Sequence, residues 1–281
     1  MSAPLLQVIG DPVLHSKSPL LHGAMLAALG LDIPYTPQVV PRGGLPGYLA
    51  WAKARPVLGF NATMPHKEDL IPLMDQLDED AARIGAVNTV CLRDGRFIGY
   101  NTDGQGCLAA LEQAGLWPRA QVMVLGAGGA AKAVALTLAA AGAEQVFVCN
   151  RTLDRAQALA QADPGGRIVP ADFSSATLER LGAGAGLVVN ATNLGMAGCG
   201  QFDDLSFLDA LGRDAGVFDL VYHPAETELL AQARRRGLPA CNGLPMLVHQ
   251  AVLALERFLD RPLDRASLAQ AAAAALERAG G

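Results

Sequence analysis

Val122-Met123-Val124-Leu125-Gly126-Ala127-Gly128-Gly129-Ala130-Ala131 lies in the middle of the chain. Four apolar residues running into Gly126 read as a buried parallel strand, the glycines permit a tight turn, and Lys132 to Ala141 continues as an Ala- and Leu-rich helix. A second strand, Gln145 to Cys149, ends about 24 residues after Gly126, which fits one βαβ unit. A helix start behind glycines turns unpaired N–H groups and a positive dipole end toward a pyrophosphate. Gly126, Ala127, Gly128, Gly129 and Ala130 are therefore read as a dinucleotide-binding turn, although a plain glycine turn shares the composition. Its mid-chain position implies a second domain inserted between two parts of a first.

The end of the second strand bears on which dinucleotide. NAD sites place Asp or Glu there to accept from the ribose hydroxyls, and that carboxylate repels a 2′-phosphate. This chain instead reads Asn150-Arg151-Thr152, with Arg155 four residues after Arg151. Two guanidiniums at that spacing share a helical face and could flank a phosphate, with Thr152 as the helix cap. The cofactor read from these residues is NADP; the alternative is that both arginines only solvate a surface helix.

The 281 residues, 51% hydrophobic, suffice for two cores, and 31 glycines with 5% aromatics suit an α/β protein. The longest near-continuous apolar run, Ala133 to Ala143, is too short to span a bilayer, and Met1-Ser2-Ala3-Pro4 lacks the features of a signal peptide. Cys91, Cys107, Cys149, Cys199 and Cys241 are odd in number and contain no Cys-x-x-Cys, so they are expected to be reduced core residues of a cytoplasmic protein. A net charge of −5 argues against nucleic acid, and Arg234-Arg235-Arg236 reads as a helix C-terminus. His15, His22, His66, His223 and His249 lack metal-ligand spacing, so no metal is expected.

Strands and helices alternate from the start: Leu5 to Gly10, a helix from Pro19 to Leu29, Ile33 to Val40, a helix Leu45 to Ala54, and Val57 to Thr63. The fold class is thus α/β, with a parallel sheet covered by helices in the first domain and a Rossmann-type sheet in the second. Ala86 to Leu92 and Phe97 to Asn101 read as an antiparallel hairpin at the sheet edge. Residues 1–103 form the substrate domain and 104–241 the nucleotide domain, the latter extended by strands at Gly186 to Asn190, Val217 to Leu220 and Pro239 to Cys241. Residues 242–281 supply two helices, Pro245 to Leu259 and Ala266 to Arg278, that return to the first domain.

Polar residues gather at strand ends of the first domain, where α/β sheets bind ligands. Pro19 suits the first helical position and Ser18 the N-cap, so Ser18 reads either as a cap or, with Ser16, as part of a site for a small carboxylate. Asn61, Thr63 and Lys67 follow the third strand, and Asn88 and Asp103 flank later ones. A lone lysine there is ordinarily solvated, and Asp103-Gly104 alone is an ordinary turn. Together they offer amide, hydroxyl, ammonium and carboxylate to one polyol, with Lys67 and Asp103 as a proton-transfer pair for alcohol oxidation.

In chain order the sequence carries HSKSP at His15 to Pro19, NATMPHK at Asn61 to Lys67, GAVNT at Gly85 to Thr89 and NTDG at Asn101 to Gly104. It continues with GAGGA at Gly126 to Ala130, NRT at Asn150 to Thr152, NATNLGM at Asn190 to Met196, DLVYHP at Asp219 to Pro224 and GLPMLVHQA at Gly243 to Ala251. This series resembles the shikimate dehydrogenase family over nearly the whole chain.

The resemblance implies reversible, NADPH-dependent reduction of 3-dehydroshikimate to shikimate in chorismate and aromatic amino-acid biosynthesis. By similarity Ser16 and Ser18 hold the substrate carboxylate, Asn61, Thr63, Asn88, Asp103 and Gln250 bind its hydroxyls, and Tyr222 lines the substrate side. Lys67 and Asp103 are the implied catalytic pair. Thr192, Leu220 and Gly243 fall near the nicotinamide, and Asn150, Arg151, Thr152 and Arg155 match the NADP clamp. Departures from the family pattern are Ala62, where Val is common, and Gly23, where Asn is common; both are packing positions.

Three other readings stay open beside this one. A quinate-oxidising relative would share Lys67 and Asp103, and its NAD-using branch carries an acid near Leu153. A non-catalytic sensor that binds NADP and shikimate would be free to lose either catalytic residue. A folate-type methylene dehydrogenase would carry Tyr-x-x-x-Lys, but Thr63 stands four residues before Lys67. The expected partner is the small-molecule substrate, with no nucleic acid or membrane, and the expected state is monomer or homodimer.

Overall fold

The computed structural model describes residues 4–280, so Met1-Ser2-Ala3, part of the segment read for a signal peptide, lies outside the described residues. The chain divides into two compact units, one running to Thr102 and resuming at Val248, the other Asp103–Leu247.

The first unit opens with β1 (Leu5–Gly10), α1 (Ser18–Ala28), β2 (Tyr35–Val39), α2 (Leu45–Lys53) and β3 (Val57–Ala62). A 3-10 turn at Ile71–Leu73, β4 (Gln76–Leu77) and α3 (Glu79–Ile84) lead to β5 (Thr89–Arg93) and β6 (Arg96–Tyr100). The sheet order is β2-β1-β3-β5-β6-β4. The strands β1, β2 and β3 are parallel, and β5 is antiparallel to both β3 and β6. The expected hairpin forms around Asp94 and Gly95, both at positive φ, but it is not the sheet edge. The two-residue β4 pairs with β6 outside it, a strand too short for any alternation to reveal. Phe60 sits at the centre of the core, with the Tyr48 ring edge-on at 5.0 Å.

The second unit contains α4 (Asp103–Gln113), β7 (Gln121–Leu125), α5 (Gly129–Ala140), β8 (Gln145–Cys149), α6 (Leu153–Gln161) and β9 (Ile168–Ala171). It continues through α7 (Ser175–Gly182), β10 (Leu187–Asn190), β11 (Gly216–Asp219), α8 (Glu228–Arg235) and β12 (Ala240–Asn242). All neighbours in its sheet are parallel, in the order β12-β11-β10-β7-β8-β9. Numbered from β7, that is the 3-2-1-4-5-6 arrangement of dinucleotide folds. The short edge strand β9, with Pro170 in it, carries no readable alternation. At the end of α8 the arginine run is ion-paired, Arg235 to Glu228 at 2.7 Å and Arg236 to Asp209 at 2.6 Å.

The helix α9 (Leu244–Leu259) starts in the second unit and ends in the first, and α10 (Arg265–Gly280) follows. Asp264 caps α10, its Oδ1 accepting from the Ser267 N–H at 3.2 Å. The alanines of α10 let it lie close along α1. Cys91, Cys107 and Cys149 are buried, whereas Cys199 and Cys241 are only half-buried, so the expectation of five core cysteines holds for three; all five are free thiols. Among the described residues no helix is long and apolar enough to cross a membrane.

Candidate functional site

Because β5 runs against its neighbours, its amino end meets the carboxyl ends of β1, β3 and β6 at one edge of the first sheet. Ser16 and Ser18 follow β1, Asn61 and Thr63 close β3, Lys67 lies in the next turn, Asn88 precedes β5, and Thr102 follows β6. Residues separated by more than eighty positions thus reach one rim.

The start of α1 differs from expectation. Ser18 is the first helical residue, and Lys17 occupies the N-cap without a side-chain bond. Ser16 takes the capping part instead, its Oγ accepting from the Ser18 N–H at 3.2 Å. The Ser18 hydroxyl meets Tyr35. With the helix starting at Ser18, Pro19 falls in its first turn, where the missing N–H costs no intrahelical bond.

A chain of buried hydrogen bonds runs beneath this rim. Tyr35 Oη donates to Asn61 Oδ1 at 2.7 Å, and Asn61 Nδ2 donates to Thr89 Oγ1 at 2.9 Å and to the Asn88 carbonyl at 3.1 Å. Thr89 Oγ1 donates to Asn88 Oδ1 at 2.9 Å, which also accepts the Thr102 N–H at 2.9 Å, while Asn88 Nδ2 donates to Thr102 Oγ1 at 2.9 Å. Every amide orientation in the chain follows from its neighbours. Burial raises the Tyr35 hydroxyl well above its ordinary value, with Tyr48 adding to the effect, so it stays a donor.

Lys67 is half-buried in a turn, followed by the 3-10 turn Ile71–Leu73. Its carbonyl accepts the Val87 N–H at 2.7 Å, tying it to the segment that presents Asn88. His66 beside it is fully buried and donates from Nε2 to the Val40 carbonyl at 2.7 Å, pinning the turn to the end of β2. Asp103, buried, opens α4 directly after Thr102 and so belongs with the second unit. Gln250, on α9, is half-buried within the first unit.

In the second unit the turn after β7 sits at the topological switch between β7 and β10. Gly126 has φ +105°, and a Cβ there would stand 3.0 Å from Thr192 Cγ2 and 3.2 Å from the Ala191 carbonyl oxygen. Gly128, the N-cap of α5, has an ordinary φ of −82° and nothing within 4 Å of where a Cβ would be. Among the described residues no contact requires glycine there. What a side chain would enter is the open space at the uncapped first turn of α5, the place where a pyrophosphate accepts from backbone N–H groups. The helix begins at Gly129, three residues before the expected Lys132, so Gly129 and Ala130 belong to that first turn; Ala127 is buried.

Asn150 closes β8 and donates from Nδ2 to the Thr152 carbonyl at 2.8 Å. Thr152 is the N-cap of α6 but its side chain makes no capping bond. Arg151 precedes the cap and Arg155 lies in the first turn, so the two do not share a helical face as expected; the cap breaks the spacing. Both are exposed, and the Arg151 guanidinium lies 5.9 Å from the centre of the Phe173 ring. The residues fit an NADP site: an open helix start after glycines, and two exposed cations with no acid at Asn150.

Thr192 follows β10, and Leu220 and Tyr222 follow β11, all half-buried. Gly243 follows β12 and lies against the Leu220 backbone, where a Cβ would overlap the Leu220 carbonyl oxygen. Burial raises the Tyr222 hydroxyl above its ordinary value. Among the described residues no group of His, Cys, Asp or Glu could hold a metal. The sequence reading assigned no role to Tyr35, Thr89, His66, Asn190 or Asp219. Each is a buried polar group at a strand end or in a turn, and motifs quoted above contain four of them, all but Tyr35.

Residues 8–90 match the family described as shikimate dehydrogenase substrate binding domain, and residues 109–193 match shikimate / quinate 5-dehydrogenase. A shikimate dehydrogenase (NADP(+)) of Symbiobacterium thermophilum is 43% identical over 280 residues, covering 97% of this chain and 95% of the relative. The shikimate 5-dehydrogenase of Thermus thermophilus, solved in complex with NADP(H) and shikimate, superposes with a TM-score of 0.85 at 39% identity, covering 96% of this chain and 99% of that one. A quinate dehydrogenase of Corynebacterium glutamicum, in complex with NAD, gives a TM-score of 0.85 at 34% identity, covering 96% and 98%. With such identity sustained over nearly its full length, the chain belongs to the shikimate dehydrogenase family.

Proposed function

We propose that this chain is an NADP-dependent shikimate dehydrogenase, an oxidoreductase that reversibly reduces 3-dehydroshikimate to shikimate in aromatic amino-acid biosynthesis. The observation that carries the reading is the gathering of Ser16, Ser18, Asn61, Thr63, Lys67 and Asn88 at one sheet rim of a chain whose other unit bears an open dinucleotide turn. NADPH, when bound, supplies the hydride. Lys67 delivers the accompanying proton to the C3 oxygen and withdraws it in the reverse direction. Asp103 orients Lys67 and accepts from a neighbouring hydroxyl. Ser16 and Ser18 donate to the carboxylate at the start of α1, where the helix dipole favours negative charge. Asn61, Thr63, Asn88 and Gln250 bind the ring hydroxyls, and Tyr222 lines the substrate side.

Gly126 to Ala130 would hold the pyrophosphate of NADP, Arg151 and Arg155 with Asn150 and Thr152 would hold its 2′-phosphate, and Thr192, Leu220 and Gly243 would line the nicotinamide. The first unit is the substrate domain, completed by α9 and α10, and the second the nucleotide domain. The protein works in the cytoplasm as a monomer or homodimer, on small molecules and without nucleic acid or membrane. Its five free thiols suit that compartment.

The test is kcat/KM for shikimate and quinate, each with NADP and with NAD. Shikimate with NADP is expected to be highest; a preference for quinate with NAD would move the chain to that branch of the family, and binding without turnover would make it a sensor.

A further inference from the structure

Asn190 and Asp219 face each other across the β10–β11 pair, in register, and neither exposes any surface. The Asn190 amide is fully engaged. Its Oδ1 accepts the Thr192 N–H at 3.0 Å and the Thr192 hydroxyl at 2.7 Å, and its Nδ2 donates to the Leu194 carbonyl at 3.1 Å and to Asp219 Oδ1 at 2.8 Å. Asp219 Oδ1 also accepts the Val221 N–H at 3.0 Å, and Oδ2 accepts the Thr227 hydroxyl at 2.6 Å. The Leu220 N–H donates to the Asn190 carbonyl at 2.9 Å. The loops after β10 and β11 are therefore sewn to one buried pair. Burial raises the Asp219 carboxyl above its ordinary value, the bonds from Thr227, Val221 and Asn190 oppose that rise, and removing one of these partners leaves more of the burial cost uncompensated.

The Thr192 hydroxyl is turned inward as well. It donates to Asn190 and accepts the Leu194 N–H at 3.1 Å. What Thr192 offers toward Gly126 is its methyl group. Thr192 is thus a shaped wall whose place depends on Asn190.

We propose that Asn190 and Asp219 are positioning residues for hydride transfer, holding Thr192 and Leu220 in register against the nicotinamide without touching it. This rests on the proposed placement of the cofactor. With zero exposure neither side chain reaches a ligand, so their effect passes through the two loops alone.

The test compares Asn190→Ala, Asp219→Ala and Asp219→Asn with the parent. It reads KM for NADPH, kcat, the primary isotope effect with NADPH deuterated at the transferred position, and the Kd of shikimate. For both alanine variants kcat is expected to fall about 10- to 100-fold, with a raised NADPH KM and a larger isotope effect as hydride transfer becomes limiting. Shikimate Kd should stay within about twofold, and Asp219→Asn, which keeps an acceptor for Asn190 and Val221, should stay within about fivefold of the parent. Parental kcat and isotope effect in a folded Asn190→Ala would overturn the proposal, as would an equal loss of shikimate binding. If the alanine variants do not fold, Thr227→Val, which removes one bond to Asp219, should lower kcat by about threefold or more and raise the isotope effect; no shift in either overturns it. A parent without activity on shikimate would strike the proposed function instead.

Discussion

Tyr35 donates its hydroxyl to Asn61 Oδ1 at 2.7 Å, and the ring that carries this hydroxyl lies flat against His22, with centroids 4.1 Å apart. Both Asn61 amide hydrogens are already donated within the protein. Asn61 can therefore meet a substrate hydroxyl only as an acceptor, through the second lone pair of Oδ1. Tyr35→Phe keeps the stacked ring and frees the amide to turn. The KM for shikimate should rise about five- to tenfold, with the NADP KM unchanged; steady-state kinetics with each ligand varied in turn would show it, and an unchanged shikimate KM would dismiss the coupling.

Lys67→Ala should lower kcat by about two to four orders of magnitude while altering shikimate KM much less, as expected for a positioned acid or base. Asp103→Asn should lose both rate and affinity, since one carboxylate is asked to orient the lysine and to bind a hydroxyl. Near-normal turnover of Lys67→Ala with a raised KM would remove Lys67 from proton transfer.

The two serines should separate. Ser16 accepts the Ser18 N–H, so Ser16→Ala should lower Tm as well as weaken shikimate binding, by about 1 kcal/mol in each measurement. Ser18→Ala removes no cap, only the hydroxyl that meets Tyr35, and should weaken binding by a similar amount with a smaller loss of Tm. Thermal melts beside shikimate titrations distinguish the pair; equal Tm losses would mean that both serve the helix.

Each charge-assisted bond to a phosphate contributes roughly 1.5–3 kcal/mol, so Arg151→Ala should weaken NADP binding about ten- to a hundredfold. NAD has no 2′-phosphate and should bind as before. The ratio of kcat/KM for the two cofactors, in parent and variant, is the quantity to measure. An unmutated enzyme that prefers NAD would contradict the clamp.

His22 is fully buried with neither ring nitrogen hydrogen-bonded, and burial pushes it down to about 3 from 6.5. Below pH 6.5 the unfolded chain takes up this proton and the folded chain does not. The unfolded state then binds more protons, so stability falls with falling pH by about 1.4 kcal/mol per unit until the folded imidazole titrates near 3. Denaturant melts of His22→Leu from pH 7 to 4.5 should show a shallower acid loss than the parent; parallel slopes would mean that His22 is not the group responsible.

The sequence by itself determined the local pieces: the strand, glycine turn and helix at Val122 to Ala140, the Asn-Arg ending of β8, and the polar strand ends at Asn61, Asn88 and Thr102. Those follow from periodicity, turn chemistry and backbone limits within a few residues. Tertiary structure alone decided how those ends are wired. Tyr35 reaches Asn61 across 26 positions and Asn190 reaches Asp219 across 29, distances closed only by strand pairing and its register. The same holds for β4, whose two residues form a strand only because β6 offers them an edge, and for Arg151 and Arg155, whose spacing reads as one helical face until Thr152 starts the helix between them. A buried side chain's partners are set by which strands become neighbours, and that information is spread over the whole chain rather than held at any one residue.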